Sequence, residues 1–440
     1  MKSRVLLIVI SSALFATACT SGGSGPSGSS SGGVVNITLW QGYGLPGVAL
    51  PGGVPNYEAN SLDRLINQFN QTHANIHVED HYCCTNDDIL KKVTVALQGG
   101  QEPDISYQYG TSMAQIAQAS SVLDLTQRVA DPAFKWDDFF PGERAAATVE
   151  GKVLGVPALV DNLAIVYNKA LFDKAGVAYP TAGWTWDDFR SAATKLTDPA
   201  TKQFGWAFPV DATEDTTWHY DAMLWEANGD ILNADNTQAA FNSGAGVTAL
   251  NALHDMAVTD KSVYLDIQNT GQIAARFNSG RIGMVVTGPW DLSSFPDVNY
   301  GVQIMPQFPG GSHQTISGPD MWVLFNKSDA RAQAAWEFIQ WFTATEQQQA
   351  DSMATGHLPT RASVLALPGF TGAFGKKFKG NDVFAANLAN VTKARPVLST
   401  YEQISQAMAD AVVAVMLGQK DAKAALDDAA AKVNGILAGP

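Results

Sequence analysis

FNSGRIGMVVTGPW, residues 277–290, leads a polar helix end directly into a buried strand that stops at an aromatic ring. Ala274 and Phe277 read as the last turn of a helix and Gly280 as its stop, while residues 282–286 form a short apolar, β-branched run. Gly288 and Pro289 end that strand. The indole of Trp290 therefore arrives at the carboxyl end of a strand, which in an open α/β sheet is the edge where ligands bind.

Strand and helix patterns alternate on both sides of this stretch. Residues 34–40, 76–82 and 103–109 read as strands, and 61–72 as an amphipathic helix with Leu62, Leu65, Ile66 and Phe69 on one face and Asn60 or Ser61 as its cap. Residues 163–168 form a further strand, and Trp186, Asp187, Asp188 and Phe189 begin another helix. Beyond Trp290, residues 317–325 read as a strand, 330–343 as a strongly amphipathic helix, and 361–436 as mainly helical. This alternation predicts α/β lobes with largely parallel sheets. At 440 residues the chain exceeds what one core supports, so two lobes are expected. A formal charge of -14 weighs against nucleic acid, which requires a clustered positive field.

The N-terminus reads as a processing signal. Lys2 and Arg4 precede apolar runs at 5–10 and 13–18, too short to span a membrane but suited to a secretory leader. Ala16, Thr17, Ala18 and Cys19 resemble a bacterial lipobox with alanine in place of the commoner leucine, so residues 1–18 are expected to be removed and Cys19 lipidated. Cleavage by the ordinary signal peptidase is the alternative. Residues 19–33, almost entirely Gly and Ser after the cysteine, then form a flexible tether. Of the three cysteines, that leaves the adjacent pair Cys83 and Cys84, which in an exported chain either join as a vicinal disulfide or remain free thiols.

Catalytic signatures are missing. The chain has no GxSxG elbow, no HExxH, no phosphate loop, and no GxGxxG opening a helix after a strand. Seven histidines without paired spacing argue against a metal site, and no cofactor is expected. Carboxylates are numerous, and a glycosidase needs only two of them about 5–10 Å apart, so a secreted glycosidase is one alternative reading.

Several stretches besides 277–290 share a pattern: a Trp after the first strand, GKVLGVPALVDNLAIVYNKALFDKAG at 151–176, WTWDDF at 184–189, AAWEFIQWFT at 334–343 and TGHLPTR at 355–361. In this order the set resembles the extracellular solute-binding proteins of ABC importers, the maltose-binding-protein-like group that binds sugars and glycerophosphodiesters. The resemblance implies a two-lobed type II periplasmic-binding-protein-like fold with a hinge of several crossings, near 149–163, 299–305 and 345–360. The implied division is 34–158 plus 304–345 for the N-lobe and 159–303 plus 346–440 for the C-lobe. It also implies capture of a carbohydrate, an amino sugar among the options, by hinge closure and delivery to membrane permease subunits. The protein would be a monomer without catalytic activity, held by its lipid at the outer face of the cytoplasmic membrane, or periplasmic.

A pyranose has apolar C–H faces and a rim of hydroxyls, so its site needs flat aromatic platforms and short polar side chains. By resemblance Trp290 is the ring-stacking platform, Trp218 and His219 face the ligand, and Trp40 either stacks or buttresses the first strand. Asp161 matches a position that accepts sugar hydroxyls, with Asn162 beside it. Gln108 stands in YQYGT where the glycerophosphodiester branch has a carboxylate, and His357 replaces that branch's tyrosine in TGYLP. That branch's phosphate-binding arginine has no clear counterpart, though Arg395 lies nearby. These departures favour a saccharide over a glycerophosphodiester, which is the first alternative, ahead of the glycosidase. Asp320, at the start of a strand, is placed to accept hydroxyls or meet an ammonium, and Tyr401 near the start of a late helix completes the expected set.

Overall fold

Two five-stranded sheets organise the computed structural model, which describes residues 33–49, 55–267 and 272–439. The strands are β1 (Val35–Gln41), β2 (Ile76–Tyr82), β3 (Ile105–Tyr109), the small hairpin β4 (Thr148–Val149) and β5 (Lys152–Val153), β6 (Val156–Leu159), β7 (Ala164–Asn168), β8 (Phe204–Pro209), β9 (Val263–Asp266), β10 (Ile282–Thr287), β11 (Tyr300–Gln303) and β12 (Asp320–Leu324). The first sheet runs β2-β1-β3-β12-β6 and the second β11-β7-β10-β8-β9. Both are mixed. In each, four of the five strands run the same way, in keeping with the largely parallel expectation, and one is reversed, β12 in the first and β7 in the second. The cause is topological: β12 enters its sheet from the other lobe and meets β3 and β6 head to tail.

The strands that alternation cannot describe are those buried on both faces. Every residue of β7, β10 and β12 is buried, which makes them continuous apolar runs, as strands covered on two sides must be. The first core lies around the first sheet, with Ile37, Leu39, Phe69, Trp322 and Phe338 at its centre. The second sheet has a separate core on each face: Trp206, Phe189, Leu250 and Met408 on one, Phe277, Phe295, Phe370 and Phe384 on the other.

Helix ends follow their capping residues. Helix Tyr57–Thr72 begins four residues before the expected 61, because the Asn56 side chain accepts the Ala59 N–H at 3.0 Å. Thr185 and Asp188 form a full capping box on helix Trp186–Leu196.

Three connections join the sheets. The first is residues 160–163, between β6 and β7. The second differs from the expected 299–305: Tyr300–Gln303 is a strand, paired antiparallel to β7. Met305, Phe308 and Ile316 are buried in the second sheet's core, so the chain rejoins the first sheet only at β12. The third connection carries helix Thr345–Thr355, which packs on the first lobe, where Ser61 Oγ donates to Asp351 Oδ1 at 2.7 Å. Relative to the expected division, 304–316 thus sits with the second lobe and 345–355 with the first. A backbone bridge between Val160 and Leu358 ties the first and third connections together. Among the described residues, no helix is long and apolar enough to cross a membrane. Residues 1–32, with Cys19 and most of the Gly/Ser segment, lie outside the described residues.

Candidate ligand-binding cleft

The ends of β6, β8 and β10 and the start of β12 converge where the connections cross. Trp290 follows β10 on a short 3-10 turn, Pro289–Ser294, and its ring lies 5.5 Å from that of Trp218, tilted by 34°. Trp218 rides on helix Glu214–Glu226, which starts after β8 with Thr213 as its cap. Gly288 and Gly318 permit this arrangement. A Cβ on Gly288 would lie 1.7 Å from Trp290 Cζ3. One on Gly318 would lie 3.0 Å from Asp161 Oδ1 and 3.5 Å from Trp218 Cζ2, so the 317–319 strap passes between carboxylate and indole as bare backbone.

Acidic groups surround the indoles. Asp161, on the first connection, accepts the Gly318 N–H at 2.9 Å; burial raises its pKa to about 6, against the opposing pull of that hydrogen bond, His357 and Arg395. Asp320 accepts the Tyr107 hydroxyl, and burial followed by repulsion from Asp161 pushes it well above the usual carboxylate range. Glu143, on helix Pro141–Ala146, is fully buried. It accepts Ser317 Oγ at 2.9 Å through Oε1, while Oε2 has no partner. Burial first, then Asp161 and Asp320, raise it as well.

Two bases face these acids, and each is already engaged. Arg395 lies 6.0 Å from the Trp218 ring and pairs with Glu214 at 2.5 Å. Glu214 also accepts Tyr401 Oη at 3.1 Å and Ser405 Oγ. His357 meets Glu58 through Nε2 at 2.6 Å, and its Nδ1 is buried without a partner. The Trp218 Nε1 donor is buried and unpaired too. The arrangement can hold a flat apolar face against an indole while presenting donors and many acceptors at its rim.

The family profile of the bacterial extracellular solute-binding proteins matches residues 56–349, more than half of the chain. The chain belongs to that family. Among solute-binding proteins of known structure, the cyclic α-maltosyl-1,6-maltose binding protein from Arthrobacter globiformis superposes with a TM-score of 0.81 at 26% identity, covering 93% of this chain and all of that one (100%). The maltooligosaccharide ABC transporter solute-binding lipoprotein of Streptococcus pneumoniae is 26% identical over 351 residues, 77% of this chain and 78% of its own length. The sn-glycerol-3-phosphate-binding periplasmic protein of Agrobacterium fabrum is 24% identical over 386 residues, 83% and 86% respectively.

Of the residues singled out from sequence, this solute-binding protein gathers Trp218, Trp290, Asp161, Asp320, His357 and Tyr401 in one neighbourhood, linked through Gly318, Arg395 and Glu214. Four others are held differently. Asn162 is fully buried: its Nδ2 donates to the Phe384 carbonyl at 2.9 Å and its Oδ1 accepts from Asn387 at 2.8 Å, which makes it a brace. His219 hydrogen-bonds the Asp215 carbonyl through Nδ1 at 2.8 Å and the Val286 carbonyl through Nε2 at 3.1 Å, clasping its helix to β10. Trp40 packs against the first core. Gln108 is fully buried with its Nε2 on Ser106 Oγ at 3.0 Å; strand alternation sends it to the opposite face from Tyr107, which bonds Asp320.

Cys83 and Cys84 are free thiols with sulfurs 2.7 Å apart, and no disulfide joins them here. Burial, followed by the neighbouring thiol, pushes Cys83 up to about 12. Sequence reasoning missed Glu143, Tyr43 and Tyr107. Tyr43, from the long loop after β1, meets Tyr107 edge-on at 5.1 Å, and the two brace the Asp320 side of the cleft.

Proposed function

We propose that this solute-binding protein captures a carbohydrate between its lobes by hinge closure and delivers it, unreacted, to the permease of an ABC importer. The observation that carries the reading is the Trp218–Trp290 pair, set where the connections cross and ringed by buried polar groups that lack partners. Indole faces suit the C–H surface of a pyranose, and the surrounding carboxyl and amide groups suit its hydroxyls. The saccharide-binding relatives from Arthrobacter and Streptococcus support the same reading. Free protein samples an open form, and a ligand touching both lobes shifts the population toward the closed one. Lipidation at Cys19 and the Gly/Ser tether would keep this monomer near its permease, at the outer face of the membrane.

The Agrobacterium relative suggests a glycerophosphate or its diester as the second reading. The charge of the cleft weighs against it: Arg395 is already paired with Glu214, and a phosphate would approach Asp161, Asp320 and Glu143. The test is a thermal-shift and calorimetric screen over mono- and oligosaccharides and glycerophosphodiesters. A ligand at a hundred times its Kd stabilises the native state by about 2.7 kcal/mol. Stabilisation by a phosphodiester and by no sugar would overturn the carbohydrate assignment. New reducing ends appearing during incubation with oligosaccharides would overturn capture without turnover.

A further inference from the structure

Glu143 and Asp161 hold adjacent residues of the strap that leads into Asp320: Glu143 accepts Ser317 Oγ at 2.9 Å and Asp161 accepts the Gly318 N–H at 2.9 Å. All three are at least nine-tenths buried. Ion pairs do not account for them, since the facing bases, Arg395 and His357, are bonded to Glu214 and Glu58. Nor do they form a metal cage: among the described residues, no three His, Cys, Asp or Glu side chains are grouped to hold a metal ion. One acceptor, Glu143 Oε2, is fully buried without a donor. Buried carboxyl groups without a counter-charge are costly, and proteins keep such groups where a partner arrives. The neighbouring indoles add a surface that attracts cations through its π face.

We infer that the saccharide this cleft is built for carries a protonated amine, which the Glu143–Asp161–Asp320 cluster receives beside the Trp218–Trp290 pair. This rests on the carbohydrate reading above and narrows it to amino sugars and their oligomers. An ammonium supplies three N–H donors and a positive charge that stabilises ionised carboxylates, whereas a neutral hydroxyl supplies one donor and no charge. Burial raises the hold of all three acids on their protons, and an arriving ammonium acts in the opposite sense, so ligand binding favours proton release. The charged groups facing the cluster are Arg395 and His357, each paired with its own carboxylate, Glu214 and Glu58.

The experiment uses calorimetric titration of the mature protein at pH 7.5 with matched probes: glucosamine against glucose, and the β-1,4 glucosamine dimer against its N-acetylated form and maltose. The expected result is at least about tenfold tighter binding of the amine member of a pair. Its heat should vary with the ionisation enthalpy of the buffer in the sense of proton release. Asp161→Asn and Asp320→Asn, each confirmed folded by its melting curve, should cut the amine-to-neutral affinity ratio by about tenfold. Equal or tighter binding of the neutral partners, or an unchanged ratio in both variants, overturns the amino-sugar inference and leaves carbohydrate capture standing. Absence of binding by every probe counts against both.

Discussion

Gly288 shows how strictly the platform is placed. Its backbone φ of -107° is open to any residue, so the requirement for glycine comes from space alone: a Cβ would meet the Trp290 ring at 1.7 Å. Gly288→Ala should therefore swing the indole aside and weaken ligand binding about 10- to 100-fold by calorimetry, much as Trp290→Ala would, with less than about 2 kcal/mol lost in chemical denaturation. His219 makes a different prediction. Burial opposes its protonation, but the Asp215 carboxylate and two carbonyl acceptors outweigh that and raise the pKa from 6.5 to about 8. Both ring nitrogens face acceptors, so the imidazolium is the form that satisfies them. A pKa raised on folding contributes stability that is complete below pH 6.5 and is lost as pH climbs through about 8, here on the order of 2 kcal/mol. In His219→Gln the fall in melting temperature between those pH values should flatten, with His357, also raised, supplying what remains.

At the scale of elements, the first connection is held by amides. Asn162 and Asn387 bond each other, Asn387 also donates to the Leu163 carbonyl at 3.1 Å, and Thr315 Oγ reaches the same carbonyl at 3.1 Å. This web locks residues 160–163 to helix Asn381–Asn387 and to the returning second connection. Asn162→Ala strands a buried carbonyl and should cost about 2–3 kcal/mol in urea unfolding while ligand affinity stays within about threefold of wild type. A ligand-contacting role would give the reverse pattern. Arg361 anchors the third connection in the same manner: its guanidinium donates to the Thr343, Lys135 and Phe134 carbonyls and lies 4.1 Å from the Phe139 ring centre. Lysine cannot reproduce that fork.

For the whole molecule, the division into two sheets joined by three connections predicts a rigid-body motion. Small-angle scattering should show a smaller radius of gyration when a stabilising saccharide is added, and an unchanged profile at saturation would rule out hinge closure. Much of this architecture is legible in the chain, because hydrophobic period and turn chemistry are local. Residues 277–290 announce helix end, strand and platform by themselves, and Trp218, Asp161 and Asp320 lie at strand ends or first turns where such motifs point. What the chain cannot announce is which lobe covers a given acid. Glu143 in PGER reads as an ordinary first-turn carboxylate on a solvated helix, yet it is fully buried and bonded to Ser317, 174 residues away. Asn162 and His219 read as polar groups offered to a ligand until distant carbonyls claim them. The reversed strand β12 and the displaced second crossing follow the same rule. Local sequence sets what each segment becomes, whereas burial, and with it charge state and role, depends on surfaces brought from far along the chain that meet only in the folded protein.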